Sequence, residues 1–143
     1  LPEYLEPLGY RSVLIGKWHL GYCTERALPT HRGFESFSGF LTGGQDYVTH
    51  ASDCDGESIS ALDYRSSARL FGEANILPAA DNSSYGVHGT YVLAERAVAT
   101  IREHAKVATD VPLLLWLAFQ PVVCLRRTRK ALMLDVSART VDS

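Results

Sequence analysis

The sequence predicts an α/β fold, and three stretches carry that expectation. Residues 12–15 are a short apolar run closed by Gly16, as a buried strand leaving a sheet would be. Val87, Tyr91, Ala94, Val98 and Ile101 recur at helical spacing, which predicts a helix over 89–104 whose apolar stripe is core. Residues 113–119 are continuously apolar, as befits a strand covered on both faces of a parallel sheet. Helices alternating with strands in this order give the α/β pattern.

The remaining elements follow from local chemistry. Leu1, Tyr4, Leu5 and Leu8 fall at helical spacing, and Gly9 supplies a natural stop after them. Between Gly16 and about Tyr85, Gly, Ser, Asp and Pro recur without a clean period, which predicts a long, loop-rich excursion. The aromatics Phe34, Phe37, Phe40 and Tyr47 give that excursion a packed interior. Neither an internal repeat nor a low-complexity tract interrupts the chain.

Composition narrows the classes of function. The chain has 143 residues, enough for one modest domain around one core. With 46% hydrophobic and 21% charged residues, disorder is not the expectation. A net charge of -2 offers no basic field, so nucleic acid is not an expected partner. The apolar run over 111–119 is too short to span a bilayer, so no membrane partner is expected either. The chain starts at Leu1, and no secretory signal is visible in it. Cys23, Cys54 and Cys124 are an odd set without C-x-x-C spacing, which implies neither a zinc site nor a complete disulfide framework.

Chemistry concentrates in residues 9–21, GYRSVLIGKWHLG. Successive strand side chains point to opposite faces, so Lys17 and His19 project from the same side. A fixed ammonium beside an imidazole suits an oxyanion: Lys supplies a point charge, and His exchanges a proton near neutral pH. The alternative is an ordinary strand exit with two solvated polar residues. Asn82-Ser83-Ser84 is a glycosylation sequon, meaningful in a secreted chain. Asp81-Asn82 itself reads as a capping or turn pair. His31, His50, His88 and His104 lack a second ligand at i+2 or i+4, so surface or loop packing is expected of each, with His104 favourably placed at a helix C-terminus.

Residues 9–19 also match the second signature of the sulfatases, Gly-Tyr-x-Ser-x-x-Ile-Gly-Lys-Trp-His, at every position. The likeness continues. Residues 27–37 resemble the family's LPTxRGFDxFxG segment, residues 43–50 its GxxDYYTH stretch, residues 61–64 its ALDF, and residues 112–120 its PLFLYLAFQ. Together these resemble the arylsulfatase B branch, the N-acetylgalactosamine-4-sulfatase and its relatives, over roughly residues 1–122. The resemblance implies an incomplete, internal piece of an alkaline-phosphatase-like domain, with the site at the carboxyl edge of the sheet. It implies a sulfuric ester hydrolase acting on sulfated sugars such as sulfated glycosaminoglycan, in a lysosomal or secreted setting. Lys17 would bind the sulfate, and His19 would serve the hydroxyl of the nucleophile.

Departures from the family pattern are equally specific. The family nucleophile is a formylglycine made from Cys in C-x-P-S-R, and none of Cys23, Cys54 or Cys124 stands in that context. Family calcium is held by an Asp-Asp pair and a later Asp-Asn pair; no Asp-Asp occurs, and Asp81-Asn82 lies at the wrong place, so no metal ligand is expected here. Only Cys54 remains of a local Cys pair, with Ser60 near its partner's place. Val123 replaces the family's sulfate-contacting His, and residues 123–143 form a divergent basic tail with Arg126, Arg127, Arg129 and Lys130. The alternative function is therefore a non-catalytic truncated isoform or decayed copy.

Overall fold

The computed structural model describes residues 1–53, 60–68, 79–107 and 110–120. Cys54, Val123, Cys124 and the basic tail lie outside the described residues. A short helix, α1 (Pro2–Leu5), continues as a 3₁₀ turn over Glu6–Leu8 and stops at Gly9, whose φ of 79° closes the cap. Only a residue without Cβ takes that conformation at little cost.

Strand β1 (Arg11–Lys17) follows at the centre of the sheet. It pairs in parallel with β2 (Ser36–Phe40) on one side and β7 (Leu113–Ala118) on the other. Antiparallel β5 (Tyr64–Ala68) and β6 (Ala79–Ala80) extend the sheet beyond β2, giving the order β6-β5-β2-β1-β7. A separate antiparallel pair, β3 (Ala51–Asp53) and β4 (Ser60–Leu62), stands beside it. Helix α2 (Gly89–Val107) is the crossover into β7.

Alternation along β1 divides the core. Val13 and Ile15 face Tyr64, Val92, Leu93 and Ala97, while Leu14 faces Leu28, Phe34, Phe37 and Leu41. Each such side chain contributes about 1.5–3 kcal/mol when fully buried. One strand thus supplies both layers.

The stretch 16–85 is loop-rich, as the sequence predicts, but it also holds five short strands, β2 to β6, whose pairing local composition does not announce. Two expectations need correction. Helix α2 occurs as expected, but the residues it buries are Gly89, Val92, Leu93 and Ala97; Val87, Tyr91, Val98 and Ile101 are exposed. The helix is apolar on two sides, and the side of Val92, Leu93 and Ala97 is the one that packs on Val13, Ile15 and Tyr64 of the sheet, while Gly89 lies against His50 and the Tyr47 carbonyl. Finally, β7 is an edge strand among the described residues, with Trp116 and Leu117 exposed, not a strand covered on both faces.

Candidate functional site

The site begins with a row of small residues. Gly16 lies beside Gly39 on β2 and Ala118 on β7. A Cβ on Gly16 would fall 1.9 Å from the Ala118 carbonyl oxygen, and Gly16 has a φ of 112°. A Cβ on Gly39 would fall 2.0 Å from the Gly16 carbonyl oxygen. Three strands therefore close tightly immediately before Lys17, and only glycine fits their centre.

Lys17 is the last residue of β1 and is half-buried. Trp18, between Lys17 and His19, packs its ring edge-on against Phe34 at 6.2 Å, and its indole N–H is shared between the Gly21 and Ala27 carbonyls, each at 2.9 Å. His19 adopts a left-handed φ of 49°. Strand alternation therefore ends before His19, although its amide still donates to the Leu41 carbonyl at 3.2 Å. Lys17 and His19 both line one cleft of about 480 Å³, with Trp18, Arg32, Phe34 and Trp116 also on its walls. Among the described residues Lys17 forms no ion pair and the His19 ring no hydrogen bond. An ammonium and an imidazole, both uncommitted, stand at the carboxyl end of the central parallel strand, where open α/β sheets bind ligands.

The loop beyond β2 supports this corner. The His19 ring lies against Gly43: a Cβ there would be 3.1 Å from both Cε1 and Nε2. The buried Asp63 carboxylate accepts the amides of Leu41 (3.3 Å) and Thr42 (3.1 Å) and the Thr42 hydroxyl. Ser52 donates to the Gly44 carbonyl at 3.1 Å. Gln120, just past β7, accepts the Gln45 amide at 3.0 Å and donates to the Gln45 carbonyl at 2.8 Å. Gly43, Asp63 and Gln120 were not singled out by sequence reasoning. Each stood inside a quoted family segment, but their roles depend on contacts far apart in sequence.

His50 is fully buried, which corrects any surface reading and agrees with loop packing. Its Nε2 lies 3.0 Å from the Ser84 carbonyl, so Nε2 carries the proton and Nδ1 accepts from the Gln45 side-chain carboxamide Nε2 at 3.3 Å. His88 stacks on Tyr47 at 4.8 Å, and His104 bonds the Val111 carbonyl at 2.8 Å. His31 is half-buried in the 3₁₀ turn Pro29–Arg32. Asn82 is exposed in a turn closed by the Tyr85 amide on the Asn82 carbonyl, 3.0 Å.

The carboxylates do not fit a calcium site. Asp81 is held below the ordinary carboxylate range by the Ser83 hydroxyl, then by the Ser83 amide, Ser66 and Arg96, against the opposing effect of burial. Asp46 is lowered chiefly by the Thr49 amide, with Val48 and the Thr49 hydroxyl adding to it against burial. Both are spent on their own turns. Among the described residues no three His, Cys, Asp or Glu side chains converge.

No family model matches the sequence. Mouse Arylsulfatase J is 34% identical over 122 residues, 85% of this chain and 18% of that protein. An uncharacterized sulfatase of Schizosaccharomyces pombe is 40% identical over 50 residues, 35% of this chain and 9% of that protein. The crystal structure of Ps i-CgsB in complex with k-i-k-neocarrahexaose superposes with a TM-score of 0.62 at 20% identity, covering 99% of this chain and 30% of that one. The PsFucS1 sulfatase from Pseudoalteromonas sp. gives a TM-score of 0.59 at 21% identity, covering 85% of this chain and 26% of that one. The fold is the mixed α/β, alkaline-phosphatase-like fold of the sulfatases. The curated relatives that the chain matches are sulfatases, and the chain spans less than a fifth of either one.

Proposed function

We propose that residues 1–122 are part of the catalytic domain of a sulfuric ester hydrolase of the arylsulfatase B branch, acting on sulfated sugars such as sulfated glycosaminoglycan. The observation that carries this reading is the meeting of uncommitted Lys17 and His19 in one cleft at the end of β1. Lys17 binds the sulfate: its ammonium stabilises the charge redistributed over the sulfuryl oxygens as the ester S–O bond breaks. His19 exchanges the proton of the nucleophile's hydroxyl. Trp18 anchors the segment between them. The family's calcium would be held by residues other than those described. A lysosomal or secreted setting, with Asn82 glycosylated, accompanies this reading; no helix among the described residues is long and apolar enough to cross a membrane.

None of Cys23, Cys54 and Cys124 stands in the nucleophile motif, which favours a second reading as a non-catalytic copy that retains anion binding. On either reading the 143-residue chain is expected to bind without turning over an aryl sulfate. Binding is tested by protection from chemical modification. Inorganic sulfate should slow acylation of Lys17 and carbethoxylation of His19, leaving Lys106 and His31 unaffected. Lys17→Ala should abolish the protection of His19. Equal rates with and without sulfate, or protection that survives Lys17→Ala, would remove the anion site from both readings.

A further inference from the structure

We infer that Asp63 is a positioning residue for His19, acting through Thr42 and the floor that Gly43 makes beneath the imidazole. This inference rests on the reading of His19 as a functional group. His19 enters the cleft with its backbone in the left-handed region and without a hydrogen bond to its ring among the described residues. Its orientation therefore depends on what its ring lies against, and that is Gly43. Gly43 is fixed from both sides. On one side Asp63 accepts the Leu41 and Thr42 amides and the Thr42 hydroxyl. On the other, Ser52 holds the Gly44 carbonyl and Gln120 holds both backbone groups of Gln45.

Asp63 does not reach the cleft; it is buried, and Arg65 lies 3.9 Å from its carboxylate. An ionised carboxylate facing three donors makes charge-assisted bonds stronger than neutral ones. Such a group sets a loop with little play, which is what an imidazole resting on that loop requires. Gly43 matters for its missing side chain: a Cβ would sit at the edge of clash with the ring and displace it.

Site-resolved carbethoxylation of the five histidines in the full chain, read by peptide mass spectrometry at low protein concentration, tests the inference. Asp63→Asn keeps the shape but turns a donor toward donors. The rate at His19, relative to His31 and His104, should rise about twofold or more as its support loosens. His50, buried on the same loop, should stay unreactive. Thr42→Val should reproduce the effect, and Thr42→Ser, which keeps the hydroxyl, should restore the parent rate. If Asp63→Asn does not fold, the Thr42→Val and Thr42→Ser pair decides by the same criteria. An unchanged His19 rate in folded variants overturns the inference. So does His50 becoming reactive in step with His19, which would make Asp63 a support of the whole loop. The sulfate-protection test is separate: its failure removes the anion site and leaves the positioning of His19 intact.

Discussion

Gln120 binds Gln45 as one strand residue binds another, but with its side chain: the carboxamide accepts the Gln45 amide and donates to the Gln45 carbonyl, 75 positions away in sequence. The Tyr47 hydroxyl adds a bond to the Gln120 carbonyl at 3.3 Å. The loop over residues 43–50 is thereby clamped to the end of β7, beside the cleft that Lys17 and His19 line. Gln120→Ala would leave both Gln45 backbone groups without their partner, costing about 1–3 kcal/mol. Urea unfolding measures that loss, and faster hydrogen exchange at the Gln45 amide locates it.

Gly16→Ala should be far more damaging. The added methyl meets the Ala118 carbonyl and sits on a residue with φ of 112°. Strands β1 and β7 would have to separate at the point where Lys17 begins. A loss of about 4 kcal/mol or more is expected, in the range reserved for steric conflict in a core. Gly86, whose Cβ would meet nothing, is the control: Gly86→Ala costs only the strain of its φ of 88°.

Acid should weaken the fold through Asp81 and Asp46. Both have folded-state values lowered, so the stability they contribute is present above their unfolded values and lost as pH falls toward the folded ones. Unfolding midpoints should therefore decline below about pH 5. Asp81→Asn should lower stability at neutral pH and flatten part of that decline. A parallel decline in parent and variant would separate Asp81 from acid sensitivity.

Much of this architecture is legible in the sequence, for reasons that differ by element. β1 is legible because its apolar run is unbroken and Gly16 ends it. The span of α2 is legible, but its buried side is not, since Val92, Leu93 and Ala97 compete with Tyr91, Val98 and Ile101. β2 and β5 read SFSGF and YRSSA, too rich in Ser and Gly to announce strands; mutual pairing and the Ser38–Tyr64 hydroxyl contact at 3.0 Å hold them. At the site, Lys17 and His19 are found by motif. Asp63 and Gln120 are not, because their partners lie 21 and 75 positions away.

The β7 edge carries a solubility liability. Trp116 is 48% and Phe119 43% exposed at the sheet's margin, an apolar face on an unpaired edge among the described residues. The isolated chain should self-associate, and Trp116→Lys should reduce light scattering while sparing β1. A reversible, sharp unfolding transition with monomeric sizing of the parent chain would contradict this.

The measurement that most directly tests the roles of Lys17 and His19 compares three neighbours in a sulfatase polypeptide carrying this segment. Aryl sulfate turnover and unfolding midpoint are measured for Lys17→Ala, His19→Ala and Trp18→Ala. Lys17→Ala should lower kcat about 10²–10³-fold by removing charge stabilisation, and His19→Ala about 10²–10⁴-fold by removing a proton-transfer partner. Neither should move the unfolding midpoint much. Trp18→Ala should do the reverse, costing about 3–5 kcal/mol through lost packing on Leu14 and Phe34. Near-normal turnover in the Lys17 and His19 variants, with Trp18→Ala merely destabilising, would contradict the functional reading and make the pair structural.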